Sequence, residues 1–326
     1  MKAVVYEKYG PPEVLRVAEV EKPVPKDDEV LIRIRATAAT VGDCNVRGFT
    51  FVPPGFKFIA RLMFGLNKPK KPVIGVVFAG EVEETGRAVT LFKKGDAVYG
   101  IDGLKMGAYA QYKCLSEKGA VAAKPKNATF EEAAAIPFGA LTAWSFLKEK
   151  VGVHAGQKVL VNGASGGVGN YAVQIAKYLG AEVTGVCSTG SMDFVRSLGA
   201  DHVLDHTAPG FTLGNEEFDI VLNTVAAEPS FARYAGSLKP NGLYLAVAGG
   251  LKEMLQSLLP SMGGGRKVIA VFSSEKKESL EALTRLVDEG KLRPTIDRVF
   301  PLDEIVAAHR HVETAHKKGC VVISVQ

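Results

Sequence analysis

The sequence predicts an α/β protein with two domains, one small and rich in β-strands and one built on a doubly wound parallel sheet. Three observations predict this class. First, short segments of alternating hydrophobicity fill residues 1–37. Second, the stretch from Lys158 to Cys187 contains a strand, a glycine-rich turn, a helix and a second strand in succession. Third, further apolar strands alternate with helices up to residue 272. Alternating strands and helices are typical of a parallel sheet covered by helices on both faces.

The first domain is predicted from short strands. Residues 3–5 and 15–17 form two of them, and residues 31–36 alternate so clearly that one face of this strand is expected to be buried. Pro23 and Pro25 mark the loop between them. Later in the chain, Thr129 is expected to cap a helix whose first turn contains Glu131 and Glu132.

The glycine-rich turn carries the strongest functional signal. Val159–Val161 is predicted as a buried strand, Asn170–Leu179 as a helix with one apolar stripe, and Val183–Cys187 as the next strand. Glycines in such a turn allow a tight bend, close approach of a pyrophosphate and close packing of helix on strand, and the free N–H groups of a helix start attract phosphate. An ordinary strand-to-helix turn is the alternative. We expect a dinucleotide to contact Gly163, Ala164, Ser165, Gly166, Gly167, Val168 and Gly169.

The end of the second strand indicates which dinucleotide binds. An acidic residue there would hold both ribose hydroxyls and favour NAD. This chain has Ser188 and Thr189 instead, and the next basic residue is Arg196. Small hydroxyl side chains leave room for a 2′-phosphate, so we expect NADPH (NADP) as the cofactor.

The remaining strands of the second domain are predicted at residues 202–204, 218–223, 243–248 and 267–272. Ligands of doubly wound sheets bind at the carboxyl ends of the strands. The residues expected to form the nicotinamide pocket are therefore Asn223, Val225, Ala248, Gly249, Gly250, Phe272 and Ser273.

The bulk composition excludes several classes of protein. A net charge of +5 is too small to indicate nucleic-acid binding without a located basic patch. No apolar run reaches the ~18–20 residues of a membrane span. Four widely spaced cysteines, with no Cys-x-x-Cys pair, and an N-terminus without the pattern of a signal peptide favour reduced thiols and a cytoplasmic location.

Residues 47–72 combine basic and aromatic side chains and contain no acidic residue. Residues 56–65 are predicted to form a short amphipathic helix. One interpretation is a lid over the entrance to the substrate cleft. The other is peripheral membrane contact through residues 49–71, in which the segment lies against an anionic surface and admits an apolar substrate.

Ten short motifs in this order resemble the zinc-independent medium-chain dehydrogenase/reductase superfamily, and within it the quinone oxidoreductase-like branch. They are Met1–Tyr6, Pro23–Pro25, Asp28–Ile32, Ala39–Asp43, Gly80–Val82, Phe92–Gly100, Gly107–Tyr112, Ala133–Pro137, Leu141–Ala143 and Leu198–Asp201. The resemblance implies a GroES-like β-rich catalytic domain at residues 1–122, with 292–326 folding back onto it, and a Rossmann domain at 123–291. It also implies a homodimer, and it places Thr142 near the nicotinamide.

The resemblance also allows the metal ligands to be compared position by position. Zinc-dependent relatives carry ligands at the positions of Thr40 and Val76 and near Phe138 of this chain. None of these three side chains supplies the nitrogen, sulfur or carboxylate ligand that catalytic zinc needs. We therefore expect no metal. The spacing of His309, His311 and His316 is not that of a metal-binding helix, and these histidines are expected at the exposed surface of an ordinary helix.

Without a metal to polarise a carbonyl, the acceptor is expected to be activated already, as a quinone or an α,β-unsaturated carbonyl (enone) is. By resemblance, Thr40, Asp43 and Asn45 are the candidate polar residues of the substrate pocket, although Asp43 fits equally well as a turn cap. Two alternatives stay open: an alcohol dehydrogenase-type NAD(P)-dependent oxidoreductase, and a nucleotide-binding protein with little turnover.

Overall fold

A computed structural model describes residues 1–52, 57–66, 68–225, 230–247, 249–261 and 263–325. The chain divides into two compact units. The first unit comprises residues 1–138 and 275–326, and the second comprises residues 139–274. Residues 123–138 and 275–291, assigned from the sequence to the dinucleotide-binding domain, therefore group with the first unit.

Helices and strands follow one another along the whole chain. Those of the N-terminal part of the first unit are β1 (Lys2–Val5), β2 (Arg16–Glu19), β3 (Glu29–Ala39), α1 (Val41–Gly48), α2 (Lys57–Phe64), β4 (Val77–Thr85), β5 (Ala97–Ile101), β6 (Tyr112–Ser116), β7 (Val121–Ala123) and α3 (Phe130–Ala135). Next come α4 (Pro137–Trp144), a π-helical turn (Ser145–Lys150), β8 (Lys158–Asn162), α5 (Gly169–Tyr178), β9 (Glu182–Cys187), α6 (Met192–Ser197), β10 (His202–Asp205), β11 (Phe218–Asn223), α7 (Phe231–Tyr234), β12 (Leu238–Ala246), α8 (Leu251–Gln256) and β13 (Lys267–Ile269). The chain ends with α9 (Lys277–Asp288), β14 (Ile296–Pro301), α10 (Ile305–Glu313) and β15 (Cys320–Ser324).

The first unit is organised on a mainly antiparallel sheet. Its strands lie in the order β14, β15, β3, β4, β5 and β7, and β6 pairs with β3. β1 and β2 form a separate antiparallel pair. The C-terminal β15 pairs with β3, with Val322 opposite Ala38, so the last segment of the chain is part of this sheet. The core between the sheet and α10 contains Ile32, Phe78 and Ile305 among its buried side chains.

Hydrogen bonds explain why residues 123–138 and 275–291 belong to the first unit. The Tyr99 hydroxyl of β5 donates to the carbonyl of Leu280 in α9 at 3.1 Å. The N–H of Lys126, just after β7, donates to the carboxylate of Asp288 at 2.7 Å. As expected, Thr129 caps α3: its hydroxyl accepts from the Glu132 N–H, and the Glu132 side chain accepts from the Thr129 N–H.

The second unit is a doubly wound parallel sheet with the strand order β10, β9, β8, β11, β12 and β13. The strand order reverses between β8 and β11, where Asn162 lies opposite Asn223. β12 begins at Leu238, five residues before the predicted start, and β13 ends at Ile269, three residues before the predicted end. After β13, Val271 and Phe272 are exposed. No helix within the described ranges is long and apolar enough to cross a membrane.

Candidate cofactor and substrate sites

The glycine turn between β8 and α5 has the geometry that its sequence predicts. The N–H groups of Gly163 and Ala164 both donate to the Val186 carbonyl, at 3.1 and 3.0 Å, which fixes the turn on β9. Gly163 has a φ of +77°, and a Cβ there would lie 2.5 Å from the Thr224 hydroxyl. A Cβ on Gly169 would lie 2.0 Å from the Gly163 carbonyl oxygen. Both positions therefore require glycine for the fold itself.

Gly166 differs from these two glycines. A Cβ there would meet only the Gly163 carbonyl oxygen, at 3.3 Å, and its φ is not in the left-handed region. The turn leads into α5, whose N-cap residue Val168 supplies no side-chain acceptor to the first turn of the helix. Helix N–H groups without a side-chain acceptor form an anion-binding site. The open space at Gly166 and this helix start fit a diphosphate.

Helix α4 packs directly on the glycine turn. A Cβ on Gly139 would lie 2.1 Å from the carbonyl oxygen of Gly167, so only glycine permits this approach. Thr142 is three residues further along the same helix and is buried. Residues three apart share a helix face, so Thr142 lies on the side of α4 that faces the turn.

At the carboxyl end of β9, the structure adds a residue that the sequence analysis missed. The Thr189 hydroxyl donates to the carboxylate of Asp205, the last residue of β10. Hydrogen bonds from Thr189 and Thr207 lower the pKa of the Asp205 carboxyl. His206 follows, and its N–H donates to the Cys187 carbonyl at 3.0 Å.

Asp205 therefore lies at the carboxyl end of β9, the edge at which the sequence predicts the ribose site, although it comes from the neighbouring strand. The register of the two strands pairs Asp205 with Cys187, the last residue of β9. A search for acidic residues directly after β9 does not find it. Only the pairing of β9 with β10 makes it visible.

At the ends of β11 and β12, the predicted nicotinamide residues have different roles. The buried Asn223 side chain accepts from Asn162 Nδ2 at 2.8 Å and from the Val225 N–H at 3.1 Å, and it donates to the Tyr244 hydroxyl at 3.0 Å. It ties the strand ends together and also accepts from and donates to the backbone of Val225, whose carbonyl lies 3.3 Å from Asn223 Nδ2. Gly250 begins α8, and its N–H donates to Glu253 at 3.0 Å.

The other predicted residues of this pocket are less connected. Ala248 lies outside the described residues, and Gly249 donates to the Ala246 carbonyl at 3.3 Å. Phe272 is 83% exposed and Ser273 is half-buried. In the described part of the chain, neither forms a hydrogen bond with the residues at the ends of β11 and β12. The structure thus brings together the residues after β8 and β11 and does not join Phe272 and Ser273 to them.

In the first unit, Thr40 and Asp43 form a reciprocal cap at the start of α1. The Thr40 hydroxyl donates to Asp43 Oδ2 at 2.6 Å, the Thr40 N–H donates to the same oxygen at 2.9 Å, and the Asp43 N–H donates back to the hydroxyl at 3.1 Å. Asp43 is buried, and Oδ1 makes no hydrogen bond of ordinary geometry. Burial raises the pKa of this carboxyl to about 6, against the opposing effect of the Thr40 hydrogen bonds. Asn45 lies apart from this pair and accepts from the Thr50 hydroxyl at 3.0 Å.

A buried polar network extends from α1 to α10. Arg47 Nη1 donates to His309 Nδ1 at 2.8 Å, and His309 Nε2 lies 3.1 Å from the Tyr109 hydroxyl. Arginine is only a donor, so Nδ1 is the acceptor and the imidazole proton is assigned to Nε2, which donates to Tyr109. The second terminal nitrogen of the same guanidinium, Nη2, forms an ion pair with the half-exposed Glu313.

The expectation that all three histidines lie at the surface is wrong for His309. It is fully buried, because α10 packs the face carrying Ile305, Ala308 and Val312 onto the sheet and His309 shares that face. Burial, and secondarily the charge of Arg47, lower the pKa of His309 to about 3, so the imidazole is neutral. His311 is half-buried beside Asp297, and His316 is exposed.

Two of the three positions where related enzymes carry zinc ligands meet in the first unit. A Cβ built on Gly42 would lie 3.3 Å from both the Thr40 hydroxyl and the Phe138 ring. Val76, at the third position, is buried. Within the described residues, no three His, Cys, Asp or Glu side chains are grouped so that they could hold a metal ion.

Comparisons with known proteins cover the whole chain. Residues 26–126 match the family model of the alcohol dehydrogenase GroES-like domain, and residues 198–323 match that of the zinc-binding dehydrogenase. The mouse mitochondrial NAD(P)H oxidoreductase RTN4IP1 is 32% identical, over 100% of this chain and 89% of its own length. The 2-methylene-furan-3-one reductase of tomato is 33% identical, over 99% and 79%. The solved quinone oxidoreductase of Coxiella burnetii superposes with a TM-score of 0.83 at 29% identity, over 100% of this chain and 99% of that one.

Proposed function

The chain belongs to the medium-chain dehydrogenase/reductase superfamily, in its quinone oxidoreductase-like branch, and from this membership we propose that it transfers a hydride from NADPH to a quinone or an α,β-unsaturated carbonyl without a metal. It is an NAD(P)H-dependent oxidoreductase of this acceptor class. The open space at Gly166, next to the start of α5 without a side-chain cap, is the observation that carries the cofactor part of the proposal.

The residues of the second unit fit a nicotinamide dinucleotide. The turn from Gly163 to Gly169 would hold the diphosphate, and Ser188 and Thr189 would face the adenosine ribose. Thr142, the backbone around Val225, and residues 249–250 would hold the nicotinamide end, together with the predicted Phe272 and Ser273. When bound, the cofactor supplies the hydride, and the side chains of this protein orient it and exclude water.

The preference for NADPH over NADH is the finer part of this proposal. Ser188 and Thr189 are small, and His206 lies beside them at the ends of β9 and β10. An imidazole is a suitable partner for a 2′-phosphate when it carries a proton. Asp205 acts in the opposite direction, because a carboxylate repels the phosphate and accepts from a free 2′-hydroxyl. We propose that NADPH is preferred by a margin that Asp205 limits.

The polar residues of the first unit would act on the acceptor. Hydride addition to a quinone or enone produces an oxyanion, and a hydrogen-bond donor that faces it stabilises it. We assign this role to Thr40, with Asp43 holding the hydroxyl in place and Asn45 as a second polar contact. With a pKa raised to about 6, the Asp43 carboxyl is mostly ionised at pH 7 and accepts the proton of the Thr40 hydroxyl. A protonated Asp43 can instead donate to Thr40 Oγ1, which frees the hydroxyl proton for the oxyanion.

The metal-free reaction follows from side chains that supply no zinc ligand at Thr40, Val76 and Phe138. Elemental analysis of the purified protein is expected to find no stoichiometric zinc, and activity should persist in a chelator. One zinc per chain, together with oxidation of a simple alcohol by NADP⁺, would instead establish the alcohol dehydrogenase-type alternative.

A homodimer, peripheral membrane contact through residues 49–71 and a cytoplasmic location complete the proposal. β13 is an edge strand, and the exposed Leu255, Leu258 and Leu259 give the second unit an apolar surface that a second copy would cover. Four free cysteines are typical of a reducing compartment. Light scattering tests the dimer. Cell fractionation tests the cytoplasmic location against a mitochondrial one, which is the location that the name of the mouse relative gives for that protein.

The activity itself is tested by steady-state oxidation of NADPH with an ortho-quinone and with a medium-chain enone. Turnover of either acceptor, with kcat/KM higher for NADPH than for NADH, is the expected result. Tight NADPH binding without turnover of either acceptor would contradict the reductase and leave a nucleotide-binding protein. A higher kcat/KM with NADH would contradict the assignment of Ser188 and Thr189.

A further inference from the structure

Helix α2 presents its apolar side to solvent. Successive residues of an α-helix are about 100° apart, so Phe58, Ile59 and Leu62 share one face. These three side chains are 69%, 57% and 50% exposed. A helix on a soluble surface normally turns its apolar stripe towards the core and its charged residues outward.

Arg61, one of the two charged residues of α2, packs against the rest of the first unit. The guanidinium of Arg61 lies 5.2 Å from the centre of the Tyr9 ring and 5.1 Å from that of Phe49, and Nη1 donates to the Leu66 carbonyl at 2.8 Å. The Phe64 ring packs against Phe49 and Phe51, at 6.4 and 5.3 Å between centroids. Arg61 and Phe64 thus hold the helix in place, and half or more of each of the three apolar side chains on its outer face stays exposed.

Four lysines flank α2 in the chain, one at its first residue and three just after its last, and one of the three, Lys71, donates to the Leu104 carbonyl. Lys57, Lys68, Lys70 and Lys71 are exposed, and none of them forms an ion pair with another described residue. Lys70 Nζ donates to the Leu62 carbonyl at 3.0 Å, which places it at the C-terminal end of α2. No acidic residue occurs between positions 44 and 80 of the sequence.

We infer that α2 is an interfacial anchor that lies in the plane of an anionic bilayer, with Phe58, Ile59 and Leu62 among the acyl chains and the lysines at the phosphate level. This deepens the membrane contact of the proposed function by naming the lipid and the orientation. Apolar residues flanked by cations match the boundary between headgroups and hydrocarbon. A second copy of this chain fits less well, because it would bring the same cations face to face.

An anchor at α2 would also bring the candidate substrate residues close to a membrane in which the acceptor dissolves. A hydrophobic quinone or enone partitions into a bilayer, and α2 follows directly on the segment that begins with Thr40 and Asp43. Eight helical residues span only ~12 Å, so the helix lies on the membrane and does not cross it.

The test is flotation of the full-length protein with vesicles of phosphatidylcholine, with and without phosphatidylserine, at low and high salt. Binding is expected only to the vesicles that contain phosphatidylserine, and it should weaken at high salt. Each lysine near an anionic surface contributes about fivefold in affinity, so a K68Q/K70Q/K71Q variant should lose roughly a hundredfold. An F58S/L62S variant should also lose binding, although its charge is unchanged.

Matched controls separate the anchor from general charge and hydrophobicity. K93Q/K94Q/K118Q removes three exposed lysines elsewhere in the first unit, and V24S/L91S removes two exposed apolar side chains. Both controls should float like the wild type. Failure of the wild type to float with phosphatidylserine, or an equal loss in the controls, would overturn the inference. So would a change of oligomeric state in F58S/L62S, because it would identify a protein partner for this face.

The flotation assay needs no turnover, so it is independent of the reductase activity. The K68Q/K70Q/K71Q variant should oxidise NADPH with a short, water-soluble quinone at the wild-type rate. Loss of flotation with retained turnover supports the anchor. Vesicle binding by a protein that turns over no acceptor would contradict the proposed function and leave the anchor standing.

Discussion

Replacement of the buried His309 by glutamine should change how the stability of the protein depends on pH. His309 accepts from Arg47 through Nδ1 and contacts the Tyr109 hydroxyl through Nε2, and solvent does not reach it. Glutamine carries one acceptor and one donor of similar reach, and it does not titrate. H309Q should therefore preserve much of the network and remove only the proton equilibrium.

The expected magnitude follows from the pKa of the imidazole in the folded and unfolded chain. Burial lowers the pKa of His309 from 6.5 to about 3. The unfolded chain therefore binds the proton more tightly, and stability is lost as the pH falls below about 6.5. At 1.36 kcal/mol per pKa unit, the wild type should lose about 2 kcal/mol between pH 7 and pH 5 through this residue alone.

Urea unfolding followed by circular dichroism at pH 5, 6, 7 and 8 measures this effect. As the pH decreases, the unfolding free energy of the wild type should fall relative to that of H309Q. Asp43 titrates in the same range with the opposite sign, so the pair is also compared in a D43N background. H316Q, which removes an exposed histidine, should give no such trend.

Parallel pH curves for wild type and H309Q, in both backgrounds, would refute the assignment of a buried neutral imidazole. A trend of the opposite sign, with the wild type gaining stability at low pH, would mean that His309 is charged in the folded protein and pairs with an acidic group.

Three further predictions concern the cofactor and the acceptor. G166V should fold with a melting temperature close to that of the wild type but lose NADPH binding, measured by cofactor fluorescence. The control G169A should unfold at lower temperature, because its methyl group meets the Gly163 carbonyl. Retained NADPH affinity in folded G166V would contradict the phosphate site. D205N should raise the ratio of kcat/KM for NADPH over NADH about tenfold and S188D should lower it, a change of roughly 1.4 kcal/mol each; an unchanged ratio in both would exclude this edge as the ribose site. Phe64→Ala should raise KM for a long-chain enone by roughly one to two orders of magnitude, through the loss of ~1.5–3 kcal/mol of apolar contact, and leave NADPH binding intact. Equal KM for short and long acceptors in both proteins would exclude an acceptor channel. Phe56, the other residue suited to this test, lies outside the described residues.

The parts of the structure set by local chemistry could be predicted from the sequence. The positive φ of Gly163 and the close approach of Gly169 to the Gly163 carbonyl both lie within the turn itself, and the geometry matches the sequence. The contact of Gly163 with Thr224 comes from the neighbouring strand and was not predicted. The Thr129 cap depends on residues three apart in the chain, and both of its hydrogen bonds form. The parallel sheet follows from the alternation of strands and helices.

The parts set by long-range packing could not be predicted. Asp205 reaches Thr189 only through the register of β9 and β10, 16 residues apart in the chain. His309 counts as polar in any hydrophobicity pattern, yet Arg47 and Tyr109 supply partners that make its burial tolerable. An amphipathic pattern predicted α2, but it does not tell which face of the helix turns outward.

The network around Asp43 connects these long-range contacts to the proposed chemistry. Asp43 and Arg47 lie four residues apart on α1, the acid near its N-terminus and the base near its C-terminus, as the helix dipole favours. The Arg47 guanidinium forms an ion pair with Glu313, and this pair compensates its positive charge. His309 is neutral, and the neutral Tyr109 side chain hydrogen-bonds Asp43 and lowers the pKa of this carboxyl without supplying a positive charge. An ionised Asp43 is therefore a net buried charge, and binding a proton relieves it, which agrees with the raised pKa of about 6. The cap that begins α1 consequently places an exchangeable proton next to the Thr40 hydroxyl. In the proposed metal-free reduction, a donor at this position would stabilise the oxyanion of the product.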